Sequence, residues 1–152
     1  MSSRLFTEIR DKRGLAYSIH SYIDHLLDSG ALTICAGVEP KNLQVTVQAI
    51  VEQLALLKEP IPETEISKAK ELTKGRLLLR MEDTRDVAGW IGGQEILVEQ
   101  VLSVDQIVTI IDAITAEELT QMARELLVGE RLRLAVVGPV PKEEPLDELL
   151  KM

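Results

Sequence analysis

The sequence predicts an α+β domain, a small antiparallel sheet covered on one face by helices. Two stretches, Leu15–Leu26 and Ala31–Val38, alternate apolar and polar residues, and the turn signal Asp28-Ser29-Gly30 lies between them. Helical spacing of apolar residues then holds over most of the chain as far as Leu127. A last apolar run, Arg131–Val137, reads as a strand again. Strands and helices that come in runs, not in strict alternation, mark the α+β class. The predicted order is α-β-β-α-α-α-α-α-β over residues 1–140. A charged, proline-punctuated tail, mobile or loosely helical, follows at 141–152.

Ser3–Arg13 reads as a helix with Leu5, Phe6 and Ile9 on one face. Gly14 follows where a helix C-cap needs a residue tolerant of positive φ. In the first strand Leu15, Tyr17, Ile19 and Ile23 share one face, and Ser18, His20, Tyr22 and Asp24 the other. Leu32, Ile34, Ala36 and Val38 form the apolar face of the second. The two together predict a hairpin with one buried and one polar side. Cys35, the single cysteine, excludes an internal disulfide and reads as a small buried hydrophobe.

Pro40 opens the next helix, whose Leu43, Val47, Ile50, Leu54 and Leu57 make one face suited to lie across a sheet. Pro60 and Pro62 end it. Glu63 to Glu82 predicts a helix with acidic residues in its first turn, where they suit the helix dipole. Asp83 or Thr84 predicts an N-cap and therefore a break. The helix from there to about Gln100 carries Gly89, Gly92 and Gly93, each costing roughly 1 kcal/mol against alanine. Three such residues predict close backbone packing against a neighbour. Ser103 with Gln106, and Thr115 with Glu118, are capping boxes that open two shorter helices. Arg131–Val137, nearly continuous in apolar residues towards its end, predicts a central strand closed by Gly138-Pro139.

The chain of 152 residues is long enough for one domain with a real core. Its hydrophobic content of 45% excludes a disordered chain, and its net charge of -8 argues against nucleic acid or an anionic membrane as partner. No apolar run is long enough to cross a bilayer. The charged stretch after Met1-Ser2-Ser3-Arg4 is unlike the apolar core of a signal peptide. The two histidines, His20 and His25, are an odd number of residues apart on one strand, so they point to opposite faces and cannot share a metal from there.

The run Ser2 to Ser18, with Arg10 and Tyr17 seven residues apart at a helix-to-strand corner, resembles the pitrilysin/insulinase family of zinc metalloendopeptidases. It is most similar to the C-terminal domain of the mitochondrial-processing-peptidase-like branch. Weaker matches follow in the same order as in that family. They are Leu77-Leu78-Leu79 with Glu82 to Thr84, Gly89 and Glu95; then Thr115 to Leu119; then Leu132 to Pro139. The resemblance implies that Arg10 and Tyr17 act at an active site whose zinc is held by another domain or a partner subunit. Tyr17 would donate a hydrogen bond to the developing oxyanion, and Arg10 would hold substrate carbonyls. On spacing alone, Tyr17 reads as core beside Leu15 and Ile19, and Arg10 as a solvated edge residue. His20 and Tyr22, on the polar face, are candidates to line a peptide-substrate cavity or are ordinary half-exposed strand residues.

The chain departs from the family pattern in two ways. The family's His-x-x-Glu-His zinc motif is absent from it, which predicts no metal site and no activity in this chain alone. The family's further strands before the first helix are absent as well. That predicts an unpaired sheet edge and uncovered helix surface, and hence a homodimer. The alternative function is that of a non-catalytic structural or core-type subunit of the same fold.

Overall fold

The computed structural model describes residues 3–139 and 146–151. The chain divides into two compact units, Met1–Glu59 with Met122–Met152, and Pro60–Gln121. The α+β class is confirmed: one antiparallel sheet accompanies a largely helical chain.

In the first unit, Phe6–Lys12 is wound as a π-helix. The Ser3 hydroxyl starts it by accepting from Phe6 N–H at 3.3 Å. Gly14 ends it at φ +61°, as the sequence predicts. The N–H of Gly14 donates to Arg10 O at 3.1 Å and that of Leu15 to Ile9 O at 2.9 Å. Each of these closures is one residue wider than in the Schellman end of an α-helix, as the wider winding requires.

Two strands follow, β1 (Ala16–His25) and β2 (Gly30–Val38), paired antiparallel from Ala16↔Val38 to His25↔Gly30. Pro40–Asn42 makes a short 3-10 turn into helix α1 (Leu43–Ala55). The core gathers Ile9, Ala16, Ile19 and Ala49, with Leu5, Phe6, Leu15, Ile34, Val38 and Ile50 packed around them. Leu43, Val47 and Leu54 are buried along α1 as the periodicity predicts. Thr46 is buried as well, because its hydroxyl can donate locally to Asn42 O at 2.7 Å. Within the segment expected as a tail, Leu146–Leu150 forms a 3-10 turn that packs on α1, while 141–145 and 152 lie outside the described residues.

The second unit carries α2 (Glu63–Arg80), α3 (Thr84–Val98), α4 (Val104–Ala113) and most of α5 (Ala116–Leu126). The predicted break is present. Asp83 caps α3 by accepting from the N–H groups of Arg85 and Asp86. Helices α2 and α4 pack together. There Lys74 Nζ meets Asp112 Oδ1 at 2.7 Å and Glu71 Oε1 at 2.6 Å, and hydrogen bonds to these carboxylates raise the lysine above its ordinary pKa. Both capping boxes form. Ser103 accepts from Gln106 N–H and Gln106 accepts from Ser103 N–H; Thr115 and Glu118 do the same.

The second box sets a pH dependence. Bonds from the Thr115 backbone N–H and hydroxyl hold the Glu118 carboxyl below its ordinary value of 4.5, with Lys70 adding a smaller attraction. A carboxylate shifted down stabilises the fold above its unfolded pKa, and that contribution is lost as pH falls through the lowered value. Glu118→Gln keeps an acceptor at this position but cannot titrate. The wild-type advantage over the variant in thermal midpoint should be present at neutral pH and vanish in acid. A difference that stays constant between pH 7 and pH 3 would sink this account.

Four expectations need correction. The expected strand Arg131–Val137 does not form: Arg131 ends a 3-10 turn (Gly129–Arg131), 132–137 pairs with neither β1 nor β2, and the sheet of the described residues is two-stranded. The run has the composition of a strand, but among the described residues no strand edge pairs with it. Gly89, Gly92 and Gly93 are not in close packing, for a Cβ added at any of them meets nothing within 4 Å. The hairpin is buried on one side only near the π-helix and α1. Towards its tip Ile23 and Leu32 are exposed, because the core cluster ends short of them. Cys35 is half-buried, not buried.

Candidate functional site

The Arg10–Tyr17 corner is built by two local irregularities of the backbone. The first is the π-helical turn that carries Arg10. The second is a bulge in β1 between Ala16 and Ser18, where the pairing passes from Ala16↔Val38 to Ser18↔Gly37 and leaves Tyr17 without a partner. An extra residue in one strand moves the alternation on by one. Ala16 and Ile19 therefore point into the core, and Tyr17 is 86% exposed. The expected face shared by Leu15, Tyr17 and Ile19 is corrected accordingly, and the core reading of Tyr17 goes with it. Gly37 sits opposite the bulge, and a Cβ there would come to 3.0 Å from the Ser18 hydroxyl.

Arg10 is half-buried. Its guanidinium lies over the Phe6 ring at 4.7 Å from the centroid and over the Tyr17 ring at 6.0 Å. Both distances suit a cation over an aromatic face. Among the described residues its side chain makes no hydrogen bond and no ion pair. Its neighbours differ: Lys12 binds Glu8 at 2.6 Å, and Arg13 binds Glu52 at 3.1 Å, both on the surface. The basic run Arg10 to Arg13 thus contains two cations engaged with carboxylates and one whose donors are uncommitted.

His20 and Tyr22 are exposed on one face of β1, with ring centroids 6.2 Å apart and planes 23° apart. Among the described residues no hydrogen bond or ring contact joins this pair to Arg10 and Tyr17. Phe6 is the residue that sequence reasoning placed only in the apolar face of its helix. The signal was present in its position four residues before Arg10, which puts the two side chains one above the other on a helix.

No group of three or more His, Cys, Asp or Glu side chains among the described residues could hold a metal ion. No described helix is long and apolar enough to cross a membrane.

Residues 1–73 match the family described as "Peptidase M16 inactive domain". A Bacillus subtilis protein named "Uncharacterized zinc protease YmxG" is 38% identical over 91% of this chain and 34% of its own length. Among solved structures, a protease from Helicobacter pylori matches with a TM-score of 0.68 and 27% identity, covering 82% of this chain and 30% of that one. A chain of Complex III2 from Candida albicans matches with a TM-score of 0.74 at 20% identity, over 82% of this chain and 30% of that one; this likeness is one of fold alone. The chain spans about a third of the length of the curated relatives it matches.

Proposed function

The chain belongs to the peptidase M16 family, through the domain that the family describes as inactive, and on that premise we propose that it serves a zinc metalloendopeptidase as its substrate-binding and transition-state-stabilising domain. The observation that carries this reading is the half-buried, ion-pair-free guanidinium of Arg10 beside the exposed Tyr17. An uncommitted arginine fork offers a permanent charge and several donors to peptide carbonyls. A tyrosine hydroxyl offers a further donor where negative charge develops on a carbonyl oxygen during hydrolysis. His20 and Tyr22 would extend the same substrate surface along β1. Among the described residues no group of side chains fits a zinc site, so zinc would belong to another domain or a partner subunit, and this chain's part would be to bind and orient the peptide.

The test is complementation. The chain alone should bind no stoichiometric zinc by elemental analysis and should cleave no peptide. Together with a zinc-binding domain of the same family it should restore chelator-sensitive peptidase activity. Activity of the chain alone, or no gain on mixing, would count against the proposal. The second reading, a non-catalytic structural subunit of the same fold, is supported by the family's description of the matched domain as inactive. It predicts a stable complex without any gain in activity.

We further propose that the isolated chain forms a homodimer. In the second unit the one buried apolar residue is Ile66, while Leu78, Leu79, Ile91, Ile96, Leu97 and Val98 are exposed. Exposed apolar patches and strand-like segments without partners favour association. Light scattering at micromolar concentration should give twice the chain mass, and a strictly monomeric solution would remove the idea.

A further inference from the structure

We propose that Phe6 is a positioning residue, holding the Arg10 guanidinium in place for the substrate without neutralising it. The inference rests on the reading of Arg10 given above. Phe6 is fixed on one side by the core, where it packs against the cluster around Ile9, and its backbone N–H is fixed by the Ser3 hydroxyl. Its ring then lies under the guanidinium at 4.7 Å, closer than Tyr17 at 6.0 Å. The usual way to fix an arginine is a carboxylate, as Glu52 fixes Arg13. That solution occupies the fork and cancels the charge. An aromatic face orients the cation through the ring quadrupole and leaves the N–H donors at the edge of the plane available to another acceptor. Phe6 and Arg10 are four residues apart, so the contact exists only while the turn between them keeps its winding.

Two measurements test this, and they separate it from the catalytic reading itself. In the 152-residue chain, NMR should show the Arg10 side-chain protons shifted upfield by the ring. Phe6→Leu, which keeps an apolar side chain against the core, should move them most of the way to random-coil values, leaving the smaller contribution of the more distant Tyr17 ring, and Phe6→Tyr should restore the shift. Unchanged Arg10 shifts in Phe6→Leu would overturn the proposal. In the complemented enzyme, Phe6→Leu should lower kcat/KM by about 3- to 10-fold, chiefly through KM, and should have no further effect when combined with Arg10→Ala. An equal loss in the Arg10→Ala background would show that Phe6 acts through the fold alone and overturn the positioning role. Wild-type kinetics for Arg10→Ala would instead overturn the proposed function, while the NMR result would still say whether Phe6 orders Arg10.

Discussion

Tyr17→Phe in an enzyme complemented with a zinc-binding domain is expected to lower kcat by about 100- to 1,000-fold, in the range measured for the loss of one oxyanion donor. KM should change little, because a donor aimed at developing charge acts on the transition state more than on the bound peptide. The substitution removes a single hydroxyl from a side chain that is 86% exposed, so the fold has almost nothing to lose by it. That makes the variant a clean probe: its stability should match wild type in urea. Arg10→Ala should raise KM as well, since a guanidinium that holds substrate carbonyls contributes to ground-state binding. Kinetics indistinguishable from wild type in Tyr17→Phe would remove the catalytic assignment and leave Tyr17 an exposed strand residue beside an arginine.

The corner itself was readable in the sequence, but its geometry was not. Gly14 marked the helix end correctly because positive φ is a local demand that few other residues meet. The capping boxes at Ser103 and Thr115 were readable for the same reason, as donor and acceptor lie three residues apart. Tyr17 was misplaced on the core face because strict alternation assumes an unbroken ladder. The bulge at Ala16–Ser18 depends on how β2 pairs across from it, and nothing in the sequence of β1 announces that. The strand expected at Arg131–Val137 failed for a related reason: composition gives a segment the capacity to pair but cannot supply an edge to pair with. The glycines of α3 failed likewise, since small residues permit close approach and do not supply the neighbour. Local caps, the hairpin and the buried face of α1 could thus be read from the sequence, whereas the bulge, the partner of a lone apolar run and the neighbour of a small residue could not.

Ile9→Ala is expected to cost about 2–5 kcal/mol of stability, the range for truncating a buried isoleucine or leucine to alanine. Ile9 is 0% exposed and stands among the residues of the π-helix, both strands and α1 that form the core of the first unit. Among the described residues few side chains are buried so completely; Thr46 is the other large one. The lost methyl groups therefore leave a cavity where the packing has little alternative support, and relaxation cannot fill it cheaply. Against a typical native stability of about 5–15 kcal/mol, such a loss brings the unit close to unfolding at ordinary temperature. Ile23→Ala serves as the control. Its side chain is 59% exposed near the tip of the same hairpin, and its removal should cost well under 1 kcal/mol. Urea unfolding followed by circular dichroism measures both. Because Ile9 precedes Arg10 and its carbonyl accepts the Leu15 N–H that closes the π-helix, partial unfolding here should also release Arg10 from the Phe6 ring. Equal midpoints for Ile9→Ala and Ile23→Ala would show that the first unit is not held by this core, and that the corner carrying Arg10 and Tyr17 is supported by something other than Ile9.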